Sequence, residues 1–388
     1  MDKIVSIEPA IDPSNRPILL LDWELTLRCN LDCSYCGPQW HDNHSPHPPL
    51  SECINTIDFM FEYVNRYMML KPKWQRIVVL NIYGGEAIYH PDIAEILQEV
   101  RKRHEPFKDD WTLTVTVTTN GVAGKNLWSE VTKYVDEFTI SFHSEALPKQ
   151  RQQVLDNILY NKAIGRKQKV VFVMHNDPQM WDISMQAVEF CKEHNIKHVV
   201  KANDTPTPKW QYNKEQFKFF ADYYESKTPE KSRNKIIMLK QVTDDTVGMG
   251  KIGRSCCGGR GLCTNQDLKH PVGFVPHSDF KDWYCSVNWF FLYIRQHNGD
   301  VYVNKDCQMN FEGGIGPIGN LSNTKKILDD QQKLIDGNTV PVIQCKQVRC
   351  ICGYCAPKAE KFEDFTNIMQ KHVDSKIKFA YNTSLNDK

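Results

Sequence analysis

Residues 27–36 read LRCNLDCSYC, follow an apolar run and carry three cysteines with the spacing CxxxCxxC. Three thiolates on one short loop can hold three irons of a [4Fe-4S] cubane. The fourth iron then has no protein ligand and can bind a small molecule, as the open position of a catalytic zinc site does. The spacing therefore indicates a metal cluster held by Cys29, Cys33 and Cys36.

The chain around this loop alternates short β-rich runs with longer helical patterns from residue 18 to residue 230. Most runs are nearly continuous in Val, Ile, Leu, Phe and Thr, which is typical of strands buried on both faces of a parallel sheet. Six strand-then-helix units predict an α/β fold, an open partial (β/α)6 TIM-like barrel. Its chemistry would lie at the C-terminal ends of the strands. The predicted strands are 18–26, 76–83, 112–119, 138–142, 169–175 and 198–201, and the predicted helices include 51–67, 91–104, 149–164 and 182–193.

The composition describes a globular chain without a dominant charged surface. The 388 residues are 41% hydrophobic, and 48 basic and 47 acidic residues give a formal net charge of +1. This balance does not indicate a nucleic-acid partner. The sequence opens without a signal-peptide pattern, and no stretch approaches the roughly 20 apolar residues of a membrane span. We therefore expect a cytoplasmic protein with no membrane association.

The 14 cysteines are distributed unevenly along the chain. In a reducing compartment, so many cysteines indicate metal or redox chemistry rather than disulfides. Nine of them fall between Cys256 and Cys355, where the alternation of strands and helices is lost. The predicted division is an N-terminal extension (1–17), the partial barrel (18–230), a cysteine-rich domain (231–380) and a flexible tail (381–388).

The three-cysteine loop, with Tyr35 before its last cysteine and its position after the first strand, resembles the radical S-adenosylmethionine (SAM) superfamily. The resemblance covers residues 18 to about 210. It implies that the open iron of the cluster binds SAM, whose one-electron cleavage gives a 5′-deoxyadenosyl radical that abstracts a substrate hydrogen. It also implies oxidoreductase chemistry and an external one-electron reductant of the flavodoxin or ferredoxin type.

Two other sites fit the same three cysteines. A zinc site needs a fourth ligand, for which His41 and His44 lie nearby in the sequence. The segment from Cys33 to Cys36 has the CxxC spacing of a thioredoxin-like pair, although Cys29 then has no role. A structural iron–sulfur or zinc protein that binds a partner and cleaves no SAM is the non-enzymatic alternative.

Polar motifs end the following strands, and the resemblance places them near SAM. Residues 84–87 read GGEA where the family has Gly-Gly-Glu-Pro at the methionine amino group, and glycines there would let the backbone approach the ligand. His143 is the candidate catalytic residue, which would bind substrate or shuttle protons; a structural histidine is the alternative. Met174 would pack on adenine or fill the core, and Asn120 with its following glycine would bind SAM or form a turn. The candidate cofactor-binding residues are Tyr35, Gly84, Gly85, Glu86, Thr119, Asn120, Ser141 and Met174.

The C-terminal third resembles the SPASM or shorter twitch extensions of radical SAM enzymes. There a cysteine, a hairpin containing a glycine, a second cysteine and a later cysteine cluster hold one or two auxiliary [4Fe-4S] clusters. Here Cys285 precedes a hairpin-like stretch, 289–303, with Asn298-Gly299 as its turn. The spacing to the second cysteine and among the last cysteines departs from the family pattern. The preferred ligand set is Cys285, Cys307, Cys352 and Cys355, while Cys256, Cys257, Cys263, Cys345 and Cys350 are candidates for a second cluster or a zinc.

The substrate class follows from the resemblance alone. SPASM and twitch enzymes commonly modify peptides or proteins, so modification of a peptide or natural product is the main expectation. A nucleotide, a modified base or another small molecule is the alternative substrate. Residues 1–17 leave no room for the N-terminal peptide-binding domain of many peptide-modifying enzymes, which weakens the main expectation. Arg254, Arg260 and Lys305 would either hold an anion or remain solvated.

Overall fold

The computed structural model describes residues 6–7, 19–37, 42–68, 70–71, 76–202, 212–227, 281–304, 316–345, 358–370 and 378–381. Within these ranges the chain forms two β-sheets flanked by helices. Several predictions lie outside the described residues. They concern Cys256, Cys257, Cys263, Cys307, Cys350, Cys352 and Cys355, together with His41, Arg254, Arg260 and Lys305.

Six parallel strands form the body of the larger sheet. Each pairs with the next one along the chain, and the registers place Leu21 beside Leu80 and Leu80 beside Val115. The predicted run of six parallel strands is confirmed, with each boundary within two residues of the expected one. After the short β1 (Ser6–Ile7), the strands are β2 (Leu19–Thr26), β3 (Ile77–Gly84), β4 (Thr112–Thr119), β5 (Glu137–Phe142), β6 (Lys167–Met174) and β7 (His198–Ala202).

Helices follow these strands as the alternating pattern predicted. One helix begins four residues earlier than expected, because Asp177 caps its first turn by accepting a hydrogen bond from the amide of Met180 at 3.1 Å. Pro178 occupies the first helical position, where its missing N–H costs nothing. The helices are α1 (Leu50–Met68), α2 (Ile93–His104), α3 (Lys125–Val131), α4 (Pro148–Ala163), α5 (Pro178–Glu193) and α6 (Lys214–Lys227).

The parallel sheet has one apolar and one polar face. Trp23 and Leu25 of β2 and Val117 of β4 are buried in the same hydrophobic core as the inward residues of α1 and α2. Because side chains alternate along a strand, the positions between them point to the other face. That face carries Asp22, Glu24, Asn81, Thr116, Thr118, Thr139 and Ser141.

Three strands within residues 291–302 and 319–320 extend the same sheet beyond β2. Strand β9 (Phe291–Arg295) pairs in parallel with β2, β10 (Asp300–Tyr302) pairs antiparallel with β9, and β11 (Gly319–Asn320) pairs antiparallel with β10. The predicted hairpin turn is confirmed, with Gly299 at φ +74°. The strand order is therefore β11-β10-β9-β2-β3-β4-β5-β6-β7. The domain boundary predicted at residue 230 stays a prediction, although strands from both sides of it belong to this one sheet.

The smaller sheet lies in the C-terminal third and includes β1. Its strands β8 (Tyr284–Cys285), β12 (Thr339–Gln344), β13 (Lys358–Ala359) and β14 (Lys378–Tyr381) have the order β1-β13-β8-β12-β14. Helices α7 (Val287–Phe290), α8 (Thr324–Asp336) and α9 (Phe362–Gln370) accompany it. In the described ranges, we find no helix with the length and apolar character that a membrane crossing requires.

Buried polar contacts join the C-terminal strands to the barrel. The side-chain oxygen of Gln296 accepts hydrogen bonds from Trp23 at 3.0 Å and from Thr56 of α1 at 2.8 Å. The ammonium of Lys71 donates to the carbonyl of Trp289 at 3.2 Å and lies 4.7 Å from the centre of the Trp289 ring. Burial lowers the pKa of Lys71 to about 7. This junction is therefore packed as a protein interior.

Candidate functional site

The three-cysteine loop leaves the C-terminal end of β2, as the sequence predicted. Cys29 and Cys33 are buried, whereas Cys36 is exposed. The Cys36 amide donates to the Cys33 carbonyl at 3.0 Å, which closes a turn, and the Cys29 amide donates to the Asp42 carbonyl at 2.7 Å. Backbone hydrogen bonds therefore give the loop a defined conformation, in which the third thiol, Cys36, is exposed to solvent.

Gly84 and Gly85 lie directly against the start of this loop. The Gly85 amide donates to the Thr26 carbonyl at 2.7 Å. A Cβ at Gly84, whose φ is +148°, would stand 2.1 Å from the Thr26 oxygen, and a Cβ at Gly85 would stand 2.2 Å from the Leu27 oxygen. The two glycines are therefore required because the backbone of the cysteine loop comes so close. Their expected role in letting the backbone approach a bound ligand stays a prediction.

Glu86 joins the end of β3 to the end of β4. Its buried carboxylate accepts hydrogen bonds from the amide of Ile88 at 2.9 Å, from the hydroxyl of Thr119 at 2.7 Å and from the amide of Asn120 at 2.5 Å. Burial raises the pKa of Glu86 to about 7, although all three of these donors favour the charged form. Three donors on one carboxylate fix the positions of two strand ends relative to each other.

Asn120 continues this connection to the cysteine loop. Its side-chain amide donates to the Asn30 side-chain oxygen at 2.7 Å and lies 3.9 Å from the Cys29 sulfur. Asn30 in turn donates to the carbonyl of Val122 at 3.2 Å. The predicted residues Glu86, Thr119 and Asn120 are thus brought together, and they hold the first cysteine in place.

Tyr35 and His143 meet on the other side of the loop. The His143 Nδ1 atom lies 2.5 Å from the Tyr35 hydroxyl and 3.2 Å from the Cys33 sulfur. The two rings are nearly parallel, at 8°, with centroids 5.8 Å apart. Burial is the main cause that raises the pKa of the Tyr35 hydroxyl well above its usual range. The candidate catalytic histidine therefore contacts the cysteine loop directly.

Glu145, with His175 beside it, forms a second group of contacts with the loop, and neither residue was among the predicted site residues. Glu145 accepts hydrogen bonds from the Ser34 amide at 2.7 Å and the Ser34 hydroxyl at 2.5 Å. The His175 Nε2 atom, at the end of β6, lies 3.3 Å from the same carboxylate. Both residues follow the end of a strand, as His143 does, so the same sequence criterion could have identified them as candidate site residues. Asn30 could have been found from its place beside Cys29.

Two predicted residues stand apart from this group. Met174 is fully buried in the hydrophobic core on the helix-covered side of the sheet, so the structure assigns it the packing alternative rather than a contact with adenine. Ser141 is partly exposed on the polar face, one strand position before the His143 loop. The structure therefore places Ser141 near the site, beside the cysteine loop rather than within it.

The polar face next to the loop carries a buried acidic group. The Glu24 carboxylate accepts hydrogen bonds from the Tyr293 hydroxyl at 2.6 Å and from Arg295 at 3.2 Å, and His297 Nδ1 lies 3.3 Å away. These hydrogen bonds and the Arg295 charge lower the pKa of Glu24 despite its burial. Sequence reasoning missed this cluster, because nothing local shows that β9 pairs with β2.

The donor set suits an iron–sulfur cluster better than a single zinc ion. In the part of the chain that the structure describes, no three His, Cys, Asp or Glu side chains lie close enough together to hold a single metal ion. Three thiolates on one loop are a sufficient protein ligand set for a cubane with one open iron, whereas a structural zinc site needs a fourth protein ligand. His44, a proposed zinc ligand, has a side chain 81% exposed beside Asp42.

Nε of Arg28, in the loop, is buried without a partner among the described residues and is available to a ligand.

Burial controls the acidity of the thiols before a cluster binds. It raises the pKa of Cys29 to about 11 and also raises the pKa values of Cys33 and Cys36. Metal ligands are thiolates, so cluster binding must release these protons.

Two of the C-terminal candidate ligands are described, and they lie on neighbouring strands. Cys285 of β8 is paired with Ile343 of β12, and the amide of Cys345 donates to the carbonyl of Trp283 at 2.8 Å. Both cysteines are buried. Cys345 therefore follows β12 two residues beyond the partner of Cys285, and the assignment of the two cysteines to different clusters stays a prediction.

A family comparison assigns the class of the domain. Residues 23–203 match the family described as "Radical SAM superfamily". This part of the chain is a radical SAM domain, as the three-cysteine loop predicted, and the non-enzymatic alternative is not supported. SAM and a [4Fe-4S] cluster are accordingly the cofactors of this domain.

Curated relatives and solved structures extend the comparison. The chain is 29% identical over 188 residues to "GTP 3′,8-cyclase" of Aquifex aeolicus (strain VF5), covering 45% of this chain and 54% of the relative. It is 25% identical over 241 residues to "Probable GTP 3′,8-cyclase" of Pyrococcus abyssi (strain GE5 / Orsay), covering 58% and 69%. The chain thus spans about half the length of the Aquifex relative. A solved structure of tagged "anSMEcpe with bound AdoMet" matches over 91% of this chain and 96% of its own, with 14% identity and a TM-score of 0.50, which shows a shared fold.

Proposed function

We propose that the protein is a radical SAM enzyme whose [4Fe-4S] cluster is held by Cys29, Cys33 and Cys36. The observation that carries this proposal is the attachment of the three-cysteine loop to the ends of β3, β4 and β5. When bound, the cluster and SAM supply a 5′-deoxyadenosyl radical: one electron breaks the sulfur–C5′ bond, methionine leaves, and the radical takes a hydrogen atom from the substrate. An external one-electron reductant of the flavodoxin or ferredoxin type is the proposed partner.

The neighbouring residues have proposed roles that follow from their contacts. Gly84 and Gly85 permit the loop to lie against β3, and Glu86 with Thr119 and Asn120 holds the Cys29 end. The Tyr35 ring closes the other end of the loop. His143 remains the candidate for a role in substrate binding or proton transfer, in which its Nε2 atom would act because Nδ1 faces the loop.

We favour a nucleotide, a modified base or another small molecule as the substrate, over the peptide that was the main expectation. The names of the curated relatives support this choice. The polar face of the sheet supports it too, since hydroxyl, amide, carboxylate and guanidinium groups line the surface beside the loop. A polar small molecule can form further hydrogen bonds with such groups, which an apolar peptide side chain cannot do.

An auxiliary cluster of the SPASM or twitch type in residues 231–380 remains part of the proposal. Its support is the spacing of the C-terminal cysteines and the neighbouring positions of Cys285 and Cys345 on β8 and after β12. Iron counting tests this point, because one cluster alone gives about four irons per chain.

The decisive experiment is anaerobic reconstitution with iron and sulfide, followed by SAM and a strong reductant. We expect 5′-deoxyadenosine and methionine in equal amounts. Well-loaded protein that releases no 5′-deoxyadenosine and shows no spectral response to SAM would contradict the proposal.

The substrate class needs a separate measurement. Deuterated GTP, other ribonucleotides and a peptide pool are each added to the SAM reaction, and 5′-deoxyadenosine is analysed by mass spectrometry. We expect deuterium transfer from a nucleotide or another small molecule. Transfer from the peptide pool alone would restore the main expectation from the sequence.

A further inference from the structure

His143 makes a contact that substrate binding and proton transfer do not explain. Its Nδ1 atom lies 3.2 Å from the sulfur of Cys33, from which it is separated by 110 residues along the chain. The same atom lies 2.5 Å from the hydroxyl of Tyr35. One nitrogen thus faces both a proposed cluster ligand and the aromatic residue between two ligands.

The direction of hydrogen bonds to this sulfur is fixed once Cys33 is an iron ligand. A coordinating cysteine is a thiolate and has no proton to donate. The sulfur therefore accepts, and Nδ1 of His143, when it carries the ring hydrogen, is a donor within reach of it beside the Tyr35 hydroxyl. In the neutral ring, Nε2 is then the acceptor.

The surrounding segment holds His143 in this position. Glu145 binds Ser34 through two hydrogen bonds, so the loop after β5 is tied to the loop after β2 at the residue that follows Cys33. Ala146 packs with Cys29 and Cys33 in a small buried cluster, and Arg151 donates to the carbonyl of Ala146 at 2.8 Å. Such supporting contacts keep a donor aimed at its acceptor.

We propose that His143 is a positioning residue that donates a hydrogen bond from Nδ1 to the Cys33 thiolate and thereby raises the reduction potential of the SAM-binding cluster. This inference rests on the proposed function, since it takes Cys33 as a cluster ligand. Reduction adds one negative charge that is shared by the cluster and its sulfurs. A donor at a ligand sulfur stabilises that reduced state more than the oxidised one, and hydrogen bonds to sulfur are a recognised determinant of cluster potential.

The test is a redox titration of the reconstituted enzyme, followed by the electron paramagnetic resonance signal of the reduced cluster. His143→Phe keeps a ring stacked on Tyr35 and removes the donor. At a fixed solution potential, we expect the ratio of reduced to oxidised cluster to fall roughly threefold to tenfold, the range for the net loss of one ordinary hydrogen bond. His143→Asn, whose amide nitrogen can occupy the place of Nδ1, should return the ratio toward the wild-type value.

Two control variants separate this role from a merely structural one. His175→Gln alters the neighbouring strand end at Glu145 and should leave the potential unchanged. In a Tyr35→Phe background, which lacks the neighbouring hydroxyl donor, His143→Phe should still lower the potential. A potential equal to wild type in loaded His143→Phe would overturn the inference, as would an equal decrease in His143→Phe and His143→Asn. If His143→Phe takes up no cluster, His143→Leu replaces it in the same comparison.

The outcome is separable from that of the proposed function. With a strong chemical reductant, wild type and His143→Phe should both release 5′-deoxyadenosine, and only a weaker protein reductant should show a larger loss in the variant. Absence of 5′-deoxyadenosine in wild type would reject the proposed function itself. Normal release in wild type with an unshifted potential in the variant would reject this inference alone.

Discussion

The three-cysteine loop and the C-terminal segment around Cys285 are held in different ways. Hydrogen bonds from the ends of β3, β4 and β5 reach the loop within one or two residues of its thiols. The C-terminal segment is attached to the barrel through Gln296, Lys71 and Glu24, away from Cys285 and Cys345. The first arrangement controls the geometry of thiols, whereas the second attaches a structural unit.

The largest difference in SAM cleavage is expected between a cysteine variant of the three-cysteine loop and one of the C-terminal segment. Cys33→Ala should reduce SAM cleavage by more than about 100-fold, since changes beyond the ligand shell already cost 10–100-fold in metal sites. Cys345→Ala is the matched variant and should retain measurable SAM cleavage, because Cys345 follows β12 in the smaller sheet and is not a ligand of the proposed SAM-binding cluster. The measurement is 5′-deoxyadenosine released per chain with a strong reductant. Equal loss in both variants would mean that electrons reach SAM through the C-terminal region.

The next effect concerns the close approach of β3 to the loop. In Gly85→Ala, the added methyl group would overlap the Leu27 oxygen, so the loop must move. We expect a loss of about 1–3 kcal/mol in the free energy of unfolding and reduced iron content. Gly124→Ala is the control, with no atom within 4 Å of its Cβ. Unchanged iron content in Gly85→Ala would show that the loop tolerates this displacement.

The attachment of the C-terminal strands is tested at Glu24. Glu24→Gln removes the charge that faces Arg295 and His297 across β2 and β9. We expect the free energy of unfolding to fall by about 1–3 kcal/mol, because a buried charge-assisted contact is lost. Asp330→Asn breaks exposed pairs with Lys326 and Lys333 and should cost less than about 1 kcal/mol. Denaturant titration compares the two, and equal losses would argue against a buried junction.

The smallest effect depends on pH and concerns Lys71. Its pKa, lowered from 10.5 to about 7 by burial, means that the unfolded chain binds more protons between these pH values. The native state is therefore penalised fully below pH 7, and the penalty disappears as pH rises toward 10.5. Lys71→Met should raise the unfolding temperature at pH 6 to 7 by the equivalent of ~1 kcal/mol, after allowance for the lost cation–π contacts. The gain should shrink by pH 10, and a gain that is constant with pH would contradict this assignment.

Much of the barrel could be predicted from the sequence. Both ends of strand β4 were predicted correctly, because alternating Thr and Val residues fit a sheet with one polar and one apolar face. The hairpin at Gly299 was placed from an Asn-Gly pair. The start of α5 was missed, since its cap at Asp177 lies before the apolar pattern begins. These successes and this failure concern signals that act over a few residues.

Contacts between distant segments could not be predicted in the same way. The pairing of β9 with β2 joins residues about 270 positions apart, and it alone creates the environment of Glu24. The pairing of β8 with β12, which brings the segments of Cys285 and Cys345 onto neighbouring strands, could not be predicted from the cysteine spacing either. Loop spacing along the chain carries no information about which strands become neighbours.

The sequence by itself determined the class of the domain, because three thiols with CxxxCxxC spacing and six strand–helix units are local patterns with a direct physical meaning. Only the tertiary structure decided what the surrounding residues do. Gly85 makes room for the loop, Glu86 ties two strand ends together, and His143 faces the sulfur of Cys33. The physical reason is that parallel strands bring their C-terminal ends to one edge of the sheet. Residues from separate parts of the chain therefore meet there at distances that only folding sets.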